Sequence, residues 1–82
     1  MKVYIGEYYE VAHTNNACKL AEQFETLEDA IVARSQQSVR EQKAGYSHSK
    51  MIITRTTWRK EFDDDGTFFS YTETVIRVRE AE

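Results

Sequence analysis

Apolar and polar positions alternate over residues 2–12, recur at helical spacing over 27–43, and alternate again over two long runs near 50–62 and 67–80. The first run is strand-like, with Val3, Ile5, Tyr9 and Val11 on one parity and Tyr4, Tyr8 and Ala12 on the other. Gly6 interrupts it and predicts a bulge or bend. His13-Thr14-Asn15-Asn16 reads as a turn. A second, short strand is expected over 18–24, with Leu20 and Phe24 inward.

The helical segment carries its own end signals. Thr26 is suited to cap it, Asp29 stands three residues on, and Glu28 and Asp29 place negative charge where the helix dipole favours it. Leu27, Ala30, Ile31, Ser35, Ser38 and Val39 form a narrow stripe, and Lys43 and Gly45 mark the end. A helix over 27–43 would be about 25 Å long at 1.5 Å per residue.

The last two runs are rich in Thr, Ile, Val and aromatics, which fit a pleated surface. Between them Asp64-Asp65-Gly66 predicts a three-residue hairpin loop with glycine in the left-handed position. Asp63 then opposes Thr67, and each opposed pair of numbers sums to 130. That register gathers Ile52, Trp58, Phe62, Phe68, Ile76 and Val78 on one face, with Thr54, Thr56, Thr72 and Thr74 among them. The other face carries Arg55, Arg59, Phe69, Tyr71, Glu73, Arg77 and Arg79, beside Ile53 and Val75. The first face is expected under the helix and the second toward solvent or a partner. The fold expected is α+β: one domain over residues 1–82, with three or four antiparallel strands in β(β)αββ order and one helix across the sheet.

Composition narrows the function classes. In 82 residues there are 14 acidic and 11 basic side chains, a net charge of −3, which opposes a general charge-driven nucleic-acid binder. Cys18 is the only cysteine, so neither an internal disulfide nor a multi-cysteine zinc site can form. The charged start MKVYIGEYYE does not read as a signal peptide, no run spans a bilayer, and a reducing cytoplasm is the expected location. The three glycines are far apart and make no phosphate-binding loop. Asp63-Asp64-Asp65-Gly66 lacks the alternate ligands and distal Glu of a calcium loop and reads as turn chemistry. His13 with Cys18 as base and nucleophile lacks an orienting third group, and His13 with His48 lacks metal-site spacing. A typical substrate pocket of about 300 Å³ or more is also hard to enclose in so short a chain. These readings predict a protein that is not an enzyme, with no catalytic residue, metal or cofactor.

The arginine face is the candidate binding surface: Arg55, Arg59, Phe69, Tyr71, Arg77 and Arg79. Arg and Tyr are enriched in protein hot spots, which favours a protein partner. The same residues stack bases and pair phosphates in single-strand binders, the alternative reading. A solvated sheet face is the third. Exposed strand edges leave the assembly open between a monomer and an edge-paired homodimer. In its short proline-free length, its MKVYIGEYYEV start, its strand-to-helix joint Phe24-Glu25-Thr26-Leu27-Glu28-Asp29-Ala30 and its closing hairpin, the chain resembles the small accessory proteins of phages and prophages. That resemblance implies an inhibitor of a host or defence protein that acts by steric occlusion.

Overall fold

The computed structural model describes residues 1–14, 22–45 and 50–79. Strand β1 (Lys2–His13) leads to helix α1 (Leu27–Lys43), followed by β2 (Met51–Phe62) and β3 (Phe68–Arg77). The strands form one antiparallel sheet in the order β1-β2-β3, with the helix over β1 and β2. This is the expected α+β class and element order. The strand expected over 18–24 is described only at its end, where Phe24 makes a single antiparallel bridge to Tyr9 with two 2.8 Å main-chain hydrogen bonds. Residues 18–21, with Cys18 and Leu20, lie outside the described residues, as do Asn15, Asn16 and His48.

Local chemistry sets the helix ends. The Thr26 hydroxyl accepts from the Asp29 N–H at 3.2 Å, satisfying one of the donors a helix start leaves open. Glu28 and Asp29 occupy the first turn, Arg40 and Lys43 the last, and Gly45 follows at φ +94°. Packing uses less of the stripe than expected. Ala30 is fully buried and Leu27 and Ile31 half-buried, whereas Val39 is exposed. The buried centre is Val11, Ala30 and Ile53, with Tyr9, Phe24, Leu27, Ile31, Met51 and Val78 packed around it. Near the helix end, His13 Nε2 lies 2.6 Å from Glu41 Oε1 and ties β1 to α1.

The hairpin turn forms as expected. Asp63 N–H donates to Thr67, Gly66 N–H donates to Asp63, and Gly66 sits at φ +85°. Beyond it the register departs from expectation. Phe62 opposes Phe68, a sum of 130, but Glu61 opposes Ser70 and Thr54 opposes Arg77, sums of 131. A bulge has absorbed Phe69. Side chains alternate with period two, so one extra residue moves β2 to the opposite face relative to β3.

The expected faces are corrected accordingly. Ile53, not Ile52, enters the core, and it is Ile53 whose carbonyl accepts from the Val78 N–H. The helix side of the sheet carries the odd residues of β1 and β2 and the even residues of β3 from Ser70 on. The open side carries Trp58, Lys60 and Phe62 with Tyr71, Glu73, Val75 and Arg77. Gly6 is corrected too. The ladder runs unbroken through Gly6 opposite Trp58, and a Cβ there would lie 2.3 Å from Trp58 Cζ2. Glycine is required because the indole lies across it, not because the strand bends.

The helix covers only one end of the sheet. At the other end Val3, Ile5, Phe68 and Phe69 are exposed, and the molecule measures 54 × 24 × 16 Å.

Candidate binding surface

The register builds an aromatic cluster on the open face, row by row. Nearest the hairpin turn, Lys2, Phe62 and Phe68 stand side by side. The next row is Tyr4, Lys60 and Tyr71, and the next Gly6, Trp58 and Glu73. Phe62 meets Tyr4 edge-on at 5.7 Å between ring centroids and Phe68 at 6.0 Å, the geometry aromatic quadrupoles favour. Lys60 Nζ lies 5.2 Å from the Trp58 centroid and 5.8 Å from that of Tyr71, so one ammonium serves two rings. The Tyr71 hydroxyl donates to Glu73 at 2.8 Å, and this bond to a carboxylate raises its pKa.

These rings are in contact with one another yet accessible. Tyr4 is 52% exposed, Phe68 57% and Tyr71 42%, and Phe69 at the bulge is 58%. Toward the helix-covered end, the open face carries small, buried residues, Ala12, Thr54 and Thr56. The turn sets a negative tip beside the cluster: Asp63, Asp64 and Asp65 are all exposed, and Asp64 also pairs with the Met1 amino group. Asp65 accepts from the Thr67 N–H at 3.0 Å, which lowers its carboxyl pKa.

The bulge divides the arginine face expected from the sequence. Arg55 and Arg59 stand on the helix side of β2. Arg55 is half-buried between Tyr9 and Ile76, with a buried Nε that makes no hydrogen bond, and Arg59 bonds Glu61 at 2.7 Å. Tyr71 and Arg77 stand on the open side. Arg77 and Arg79 meet a residue the sequence did not single out, Arg34 of α1, around an open cleft of about 540 Å³ where β3 ends. Tyr4, Trp58, Lys60 and Phe62 were not recognised as partners of Tyr71. No local signal marks them, because the pairing of Gly6 with Trp58 and the bulge at Phe69 are set by the long-range register of the three strands.

His13, weighed as a thiol or metal partner, is engaged by Glu41. Among the described residues no group of three or more His, Cys, Asp or Glu side chains is placed to hold a metal ion, and no helix is long and apolar enough to cross a membrane. No protein-family model matches the chain, and no curated protein and no solved structure shows significant similarity to it.

Proposed function

We propose that the protein is a non-catalytic binding module whose contact surface is the aromatic cluster Tyr4, Trp58, Phe62, Phe68 and Tyr71, and that it acts by covering a functional surface of another protein. The observation that carries this reading is the exposure of edge-packed rings at the end of the sheet that α1 leaves bare. Aromatic side chains lose little conformational freedom on binding and dominate interface hot spots, and contiguous apolar surface on a small domain marks a contact site. The partner surface this fits is apolar at its centre, with basic groups at the rim to meet Asp63, Asp64 and Asp65. Occlusion of a host or defence protein in the cytoplasm, the role implied by the resemblance to phage accessory proteins, needs nothing more than such a surface. The alternative, single-stranded nucleic acid, is less well supported. The four arginines do not share one face, and the aspartate tip adjoining the rings repels phosphates.

The test is affinity capture from host lysate with immobilised wild type and with a Tyr4→Ser/Phe68→Ser variant. The expected result is one stoichiometric protein retained by the wild type and lost by a variant with an unchanged circular dichroism spectrum. Equal retention by both would overturn the assignment of the surface. Binding to labelled single-stranded DNA or RNA that falls steeply with salt would favour the alternative.

A further inference from the structure

The outer edge of β3 is an unpaired strand among the described residues, and its sequence is complementary to itself. Val78 donates its N–H inward to Ile53. Main-chain groups alternate in direction along an antiparallel strand, so Ile76, Thr74 and Thr72 also turn theirs to β2. Tyr71, Glu73, Val75 and Arg77 therefore turn their N–H and C=O groups outward. A 10-residue strand with every residue but Ser70 exposed, and with no proline, is a ready template for another strand.

We infer that two copies of the chain pair through β3, antiparallel about a two-fold axis at Val75, to make a continuous six-stranded sheet. In this register Val75 faces Val75, Glu73 faces Arg77 twice by symmetry, and Tyr71 faces Arg79. Opposite charges directly across a strand pair stabilise it, and like charges do the reverse. Registers centred on Glu73 or on Arg77 set like charges face to face, so charge selects among the pairings. Both helices fall on the same side of the sheet, and both aromatic clusters share the other. The pairing is isologous and closes at two copies.

The single chain is also elongated, with more surface than a compact fold of its size. Its accessible area is 6298 Å², whereas a compact monomer of 9.6 kDa exposes about 5,100 Å² by the usual size scaling. The radius of gyration is 16.2 Å against about 12 Å for a compact chain of this length.

This inference is independent of the proposed function, because its readout is molar mass without any partner. Light scattering at micromolar concentration should give twice the 9.6 kDa chain mass. Arg77→Glu and Glu73→Arg should each weaken association on the order of tenfold or more, about 1.4 kcal/mol, and the double exchange should restore it. Val75→Pro should give a monomer with its β2–β3 ladder intact, since the N–H it deletes points away from β2. A wild-type monomer at that concentration would overturn the proposal. So would a dimer indifferent to Val75→Pro and to charge reversal, which would have to form through another surface.

Discussion

The close apposition of the Trp58 indole and Gly6 can be turned into a measurement with a predicted sign. A methyl group at residue 6 would stand 2.3 Å from Trp58 Cζ2, 2.5 Å from Cε2 and 2.8 Å from Nε1, well inside van der Waals contact. The main chain of β1 is fixed there by the ladder, so the ring must move. Glycine in a strand is otherwise a poor choice, and replacing it where the backbone is extended stabilises by about 0.4–1 kcal/mol through the unfolded chain. Overpacking costs about 1–3 kcal/mol. The second term wins, and Gly6→Ala should destabilise by about 1 kcal/mol, or roughly 4–8 °C in Tm for a domain of this size. Removing the ring removes only the unfavourable term. In a Trp58→Leu background Gly6→Ala should therefore become neutral or stabilising, with a coupling energy of about 1–2 kcal/mol between the two sites. Urea unfolding followed by circular dichroism measures all four proteins. Trp58 is the only tryptophan, so its emission reports the displacement directly, moving to longer wavelength in Gly6→Ala as the indole lifts into water. Stabilisation by Gly6→Ala in the wild-type background, with unchanged emission, would refute the account of why glycine stands there.

Three further outcomes are expected. Ile53→Ala should cost about 2–5 kcal/mol, because Ile53 is 1% exposed against Val11 and Ala30, and should abolish cooperative unfolding in a core this small; a loss below about 1 kcal/mol in chemical denaturation would place the core elsewhere. Deleting Phe69 should leave the unfolding midpoint unchanged or higher, because Phe62–Phe68 and Glu61–Ser70 then become consecutive pairs of a regular ladder, whereas deleting Thr72 shifts the following residues to the wrong face and should unfold the hairpin. The Tyr71 phenol, raised by its hydrogen bond to Glu73, stabilises the folded state below the ordinary tyrosine pKa and loses that contribution as pH rises through the raised value; in ultraviolet titration Glu73→Gln should bring its ionisation to lower pH, and identical titrations would show that the bond does not form in solution.

The helix and the turn were legible in the sequence because their causes are local. A capping threonine with acids behind it, and Asp-Asp-Gly between two β-rich runs, act within four residues and need no knowledge of the rest of the fold. Face assignment has no such local cause. It depends on counting residues back from the turn, and one uncounted residue reverses the outcome for a whole strand. Phe69 is that residue, and nothing in Thr67-Phe68-Phe69-Ser70 announces a bulge, since no glycine marks it. The error fell on β2, where Ile52 and Ile53 are equally apolar and each satisfies one face. Only the approach of Val11 and Ala30 decides that Ile53 is the one buried, and this long-range packing is not written in either residue. The same insertion decides the character of the candidate surface. A regular hairpin would set Tyr71 opposite Arg59 on a face shared with Arg55, and the arginine cluster expected from the sequence would exist. With Phe69 bulged, Tyr71 stands opposite Lys60, which also lies over Trp58, while Arg59 turns to the helix side and bonds Glu61. A surface of four arginines becomes one of packed rings with the Lys60 ammonium between Trp58 and Tyr71. On the proposed reading, this exchange is what favours the apolar surface of a protein over phosphates as the partner.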